Sequence, residues 1–217
     1  MPNRALSEKR PILLASMAAA LAFFVMRQSP LPELFLVPLK GAGVGLLALY
    51  AFMRHRGRDA YHMGAIMIVA ALGDIAMEVD PIAGALLFAG YHLGAIGLYL
   101  RHPRDHVAAT QKVAAAAMVL LTPVIFWLLP FDRAEALPAA LYGLAVGGMA
   151  ACAWLSAFSR YRVGLGAVLF LVSDTLIVAG YGPLMGQEWQ QWLIWPLYYT
   201  GQFLICIGVL GRLRRRL

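Results

Sequence analysis

Apolar residues gather in eight blocks along this chain, roughly 11–26, 34–53, 60–79, 82–100, 111–129, 138–158, 163–182 and 191–211, with short polar stretches between them. Continuous apolar blocks near 20 residues long predict α-helices that cross about 30 Å of hydrocarbon at about 1.5 Å per residue. Strands of a membrane barrel would instead alternate apolar and polar positions over about ten residues. The first block, Pro11 to Met26, is the shortest. Glycine and proline fall inside the blocks, at Pro38, Gly41, Gly43, Gly45, Pro123 and Pro196, where membrane helices tolerate them. The pattern therefore predicts an all-α, polytopic membrane helical bundle of about eight transmembrane helices. It reads as a single integral membrane domain over residues 1–217, with tails at 1–10 and 212–217. No polar stretch is long enough to form a soluble domain, so any chemistry belongs within the bundle or at its mouths.

Composition agrees with the pattern. Of the 217 residues 61% are hydrophobic and 13% charged, against about 25% charged in a soluble domain. The net charge of +7 would suggest nucleic acid for a soluble protein. Here the basic residues sit at one end of each block, as the positive-inside rule requires. With the N-terminus in the cytoplasm, 15 Lys and Arg fall on inside segments and only Arg27 and Arg133 on outside ones, Lys40 lying within a block. That asymmetry places both termini in the cytoplasm and favours an even number of spans. Nucleic acid is not an expected partner. Cys152 and Cys206 both lie inside apolar blocks, which predicts packed thiols and no disulfide framework. The Ala-, Gly- and Arg-rich composition points to a bacterial plasma (inner) membrane.

The stretch Gly73-Asp74-Ile75-Ala76-Met77-Glu78-Val79-Asp80 stands out, because it puts three carboxylates in or near one apolar block. A charged side chain in hydrocarbon costs several kcal/mol unless it faces a partner or water. Asp174 interrupts another block. With the orientation above, Lys40, Asp74, Glu78, His92, Ser173, Asp174, Tyr199 and Gln202 share a band from the midplane to the outer half. Such agreement in depth is the signature of a polar pocket. Gly84, Phe88 and His92 are spaced by four, and Gly166, Phe170 and Asp174 repeat that spacing, which puts a gap, an aromatic ring and a polar group on one helical face.

Each residue also has a purely structural reading. Asp74 could pair with Lys40. Glu78 and Asp80 could be solvated interfacial groups. Ser173 could bond back to the carbonyl one turn earlier, and Gln202 could be interhelical glue. Trp189, Trp192 and Trp195 fit an aromatic belt. His55, His62, His102 and His106 read as surface residues in or beside inside loops. Asp74, Glu78 and His92 could supply two oxygens and a nitrogen to zinc, but there is no paired-His spacing, and no metal or other cofactor is expected.

Taken in order, Gly73-Asp74, then Gly84, Phe88 and His92, then Gly166, Phe170, Ser173 and Asp174, then Tyr199 with Gln202, are similar to the motifs of the YhhN-like integral membrane proteins, whose characterised members are lysoplasmalogenases. Lys40 resembles the lysine of that family's second span, although Gly41 stands here where a proline usually follows. The segment Tyr181-Gly182-Pro183 also departs from the family pattern. The resemblance implies hydrolysis of the vinyl-ether bond of a lysophospholipid that enters from the bilayer, releasing a fatty aldehyde and a glycerophospho-ethanolamine or -choline.

That chemistry suits paired carboxyl groups. Protonating the alkene carbon creates an oxocarbenium ion, so the reaction needs a positioned acid and a nearby anion, as in glycosidases. Asp74 and Asp174 are the expected pair, with His92 as the third catalytic residue. Lys40, Glu78, Ser173, Tyr199 and Gln202 are the expected substrate-binding groups. The competing expectation is a small-molecule or proton-coupled transporter, since intramembrane Asp, His and Lys serve such proteins too.

Overall fold

The structure, a computed structural model, describes residues 10–214. The tails expected at 1–10 and 212–217 lie outside the described residues, apart from Arg10 and 212–214. Eight α-helices make up the described chain: α1 (Arg10–Met26), α2 (Glu33–Arg54), α3 (Arg58–Ala76), α4 (Pro81–Leu100), α5 (Ala109–Leu128), α6 (Ala136–Leu155), α7 (Leu165–Ala179) and α8 (Trp189–Leu213). A π-helical turn, Arg160–Gly164, leads into α7. There is no strand among the described residues, only one isolated bridge between Pro103 and Ser156. Seven of the helical segments are long and apolar enough to span a membrane, and α1 is shorter at 17 residues. The eight blocks of the sequence thus map one to one onto helices. The main shift is in the seventh, which starts earlier, at Arg160, and ends at Ala179 rather than 182.

By its packing the chain divides into two compact units. One comprises residues up to Gly94 together with the end of α8 from Leu210, and the other runs from Ala95 to Val209. In the first unit, α1 meets α2 through Ser16, whose hydroxyl donates to the Gly43 carbonyl at 2.6 Å. Val44, Leu47 and Ala51 of α2 and Ala60, Met63 and Met67 of α3 are all fully buried. Asp80 ends the α3–α4 turn as an N-cap: its Oδ1 accepts from the Ile82 N–H at 2.9 Å. Pro81 follows as the first helical residue, where its missing N–H costs nothing.

In the second unit, helices approach closely where side chains are small. A Cβ on Gly166 of α7 would lie 2.7 Å from the Gly201 carbonyl oxygen of α8, and one on Gly201 would lie 2.6 Å from the Gly166 carbonyl oxygen. The two backbones therefore touch at this crossing, as small residues allow in membrane helices. On α6, Gly143 seats the ring of Phe126 from α5. At one end of this unit the segment after α4 is tied to the segment after α6: the Ala157 N–H donates to the His102 carbonyl at 2.7 Å, and Arg104 Nη2 donates to the Phe158 carbonyl at 2.7 Å. His102 is consequently buried, its ring edge-on to Phe158 at 5.0 Å. The expectation of a surface histidine fails there because the two loops fold onto each other. His62 departs from that expectation as well, since its Nε2 lies 2.8 Å from the Gly94 carbonyl oxygen.

Candidate functional site

Each of the two units buries one aspartate within an apolar helix. Asp74 is 2% exposed and Asp174 5%. His92, Ser173 and Gln202 are fully buried. Tyr199 is half-buried. Apart from Tyr199, these groups are shielded from bulk water, so their orientation is set by protein partners.

In the first unit Asp74 sits on the last turn and a half of α3. The Phe88 ring of α4 lies over the neighbouring Gly73, 3.2 Å from where a Cβ would stand. A side chain at position 73 would require that ring to give by a few tenths of an ångström. One turn beyond Asp74, Glu78 forms an ion pair with the Lys40 ammonium of α2. The pair is only partly shielded, with side chains 16% and 41% exposed. Lys40 also lies 5.8 Å from the centre of the Phe23 ring. The alternative in which Lys40 pairs with Asp74 is replaced by this ion pair with the carboxylate one turn further along the chain. His92, two turns along α4 from Gly84, has its ring edge-on to Tyr91 at 5.4 Å.

In the second unit Asp174 lies on α7, and the Tyr142 hydroxyl of α6 donates to its Oδ2 at 2.7 Å. Sequence reading passed over Tyr142, since α6 carries no charge and one tyrosine in an apolar block reads as packing. Only the α6–α7 contact reveals it. Tyr142 is itself stacked against Phe126, with centroids 6.4 Å apart and planes 16° from parallel. Ser173 donates across to the Ile194 carbonyl of α8 at 2.9 Å, not back along its own helix. The back-bond belongs to Thr175, whose hydroxyl donates to the Leu171 carbonyl at 2.8 Å. The close Gly166–Gly201 crossing brings α8 within reach of Ser173.

Aromatic rings continue the α7–α8 seam. Phe170 meets Tyr198 edge-on at 5.1 Å. Trp195 lies against Tyr198 at 5.6 Å and stacks on Tyr199 at 6.3 Å. Trp195 is 5% exposed, unlike Trp189 and Trp192 at 49% and 44%. The belt reading therefore holds for two of the three tryptophans in exposure only. A step of three residues turns about 60° short of a full helical turn, so two such steps carry Trp195 off the exposed face.

The structure thus joins Lys40 to Glu78, and Ser173 and Asp174 to neighbouring helices. Asp74, His92 and Gln202 are each buried, the first two belonging to the first unit and Gln202 to the second. Among the described residues no three His, Cys, Asp or Glu side chains gather as a metal centre would need; the Asp74, Glu78 and His92 trio is not such a group.

Compared with known proteins, residues 35–209 match the model of the YhhN family. No curated protein matches the chain. No solved structure matches it either.

Proposed function

We propose that this chain, which belongs to the YhhN family, is a membrane-embedded hydrolase that cleaves the vinyl-ether bond of lysoplasmalogens. The supporting observation is a buried aspartate within an apolar helix of each unit, on a chain with seven helices able to span a membrane. Burying two carboxyl groups in hydrocarbon opposes stability by several kcal/mol, a cost that a purely structural scaffold has no need to carry twice.

The chemistry assigned to them is acid catalysis with charge stabilisation. One carboxyl group gives its proton to the alkene carbon remote from the ether oxygen. The carbon–carbon π electrons form the new C–H bond, and positive charge spreads over the remaining carbon and the oxygen. The other carboxyl group, as an anion, stabilises that cation and then takes a proton from the water that adds to it. The hemiacetal so formed loses the glycerol oxygen as an alcohol and leaves the aldehyde. Proton transfer of this kind contributes about 10²–10⁴-fold, and fixed charge beside the cation adds to it.

Asp74 and Asp174 take these two roles, with His92 orienting a carboxyl group or the water. Ser173, Tyr199 and Gln202 border the substrate. Lys40 and Glu78 present a cation beside an anion, the complement of a zwitterionic phospho-ethanolamine or -choline headgroup. The orientation with both termini in the cytoplasm follows from the Lys and Arg asymmetry.

The test is aldehyde release from a defined lysoplasmalogen by purified protein in detergent, with and without a chelator, beside Asp74→Asn and Asp174→Asn. Release by the wild type that survives chelation and disappears in both variants is the expected result. Full activity in two folded Asn variants would end the assignment of these residues. No aldehyde from folded wild type would end the vinyl-ether reading and bring forward the transporter.

A further inference from the structure

Resting on that reading, we propose that Tyr142 is a positioning residue for Asp174, holding one carboxylate oxygen in place so that the other faces the substrate. The contact is direct: the Tyr142 hydroxyl donates to Asp174 Oδ2 at 2.7 Å. The aspartate it serves is 5% exposed, so bulk water does not compete for that oxygen. A carboxylate hinges about its last torsion, which is broad and nearly two-fold. A fixed donor on one oxygen removes that freedom and leaves the other oxygen aimed.

A donor can fix a carboxylate only if it is itself fixed, and the ring is held from behind. Phe126 of α5 is fully buried and lies nearly parallel to Tyr142. Phe126 is held in turn because the next residue on α6 is Gly143, where a Cβ would stand only 2.9 Å from the Phe126 ring. The order is Gly143, Phe126, Tyr142, Asp174: a missing side chain admits a ring, the ring backs a tyrosine, and the tyrosine orients an acid. Ser173, beside Asp174, is tied to the Ile194 carbonyl of α8. The segment Ser173-Asp174 is therefore tied to both α6 and α8, and Tyr142 donates directly to Asp174.

Tyr142→Phe removes the hydroxyl and keeps the ring on Phe126. The expected result is a roughly ten- to hundredfold fall in kcat with KM within about twofold of wild type, because orientation of a reacting group is lost while lipid contacts remain. Phe126→Leu keeps the hydroxyl and frees the ring, and is expected to lower kcat less, again at constant KM. It carries the test should Tyr142→Phe fail to fold. Unchanged kcat in folded Tyr142→Phe overturns the inference, as does a rise in KM at constant kcat, which would make Tyr142 a substrate contact. Failure of the vinyl-ether reading looks different, since the wild type itself then releases no aldehyde. In that event infrared difference spectra against Asp174→Asn still decide the contact: an Asp174 band, carboxyl or carboxylate, that moves in Tyr142→Phe supports it, and one that stays overturns it.

Discussion

Adding one methyl group at Gly201 tests the closest helix crossing in the second unit. A Cβ there would stand 2.6 Å from the Gly166 carbonyl oxygen and 3.2 Å from the Phe170 nitrogen. The first contact is about 0.8 Å inside the range where ordinary contact begins. Both obstacles are backbone atoms of α7, so no side chain can swing aside, and the helices must separate. Forced overpacking of this kind costs about 1–3 kcal/mol. Separation also lengthens the Ser173–Ile194 hydrogen bond, and such interhelical bonds are worth about 0.6 kcal/mol on average in membranes. Against this stands the helix propensity of alanine, about 1 kcal/mol, so the expected net destabilisation of Gly201→Ala is about 1–2 kcal/mol. Gly97→Ala in α4 is the control, since a Cβ there meets nothing within 4 Å. There the helix propensity of alanine should leave stability unchanged or raise it by up to about 1 kcal/mol. Reversible unfolding in mixed detergent micelles, followed by circular dichroism, measures both. If Gly201→Ala is as stable as Gly97→Ala, the backbone contact between α7 and α8 does not exist as described. The activity assay adds a second reading, because a widened crossing should displace Asp174 and lower kcat.

Other outcomes follow from the same geometry. Asp74→Asn and Asp174→Asn should each lower kcat for aldehyde release by at least about 100-fold while remaining folded by gel filtration, and a variant retaining more than a tenth of wild-type kcat contradicts its assigned role. Ser173→Ala should cost about 1 kcal/mol of stability in the same unfolding assay, and a neutral result would mean the Ile194 carbonyl needs no second donor. A double-mutant cycle of Lys40→Met and Glu78→Gln should give a coupling below about 1 kcal/mol, because the pair is only partly buried. The same two variants should raise KM for zwitterionic lysolipids more than they lower kcat, and the opposite split would remove the pair from the headgroup site.

Most of the architecture was legible in the chain itself. Hydrocarbon demands that each spanning segment satisfy its own backbone hydrogen bonds, so a long apolar block has one stable solution, and its boundaries can be read directly. Asp74, His92, Ser173, Asp174 and Gln202 were legible for a related reason: a polar residue in an apolar block is conspicuous, and all five are buried in the folded protein. The partners were not legible. Tyr142 meets Asp174 across 32 residues of chain, and Lys40 meets Glu78 across 38, because pairing between helices depends on rotation and register that no local pattern encodes. Burial of His102 and of Trp195 was hidden for the same reason, since a loop histidine becomes interior only when a second loop folds over it. The chain alone determined how many helices there are, because the solvent imposes that one segment at a time. Which side chains touch was decided by the tertiary structure, where glycines such as Gly143, Gly166 and Gly201 set how closely two helices approach.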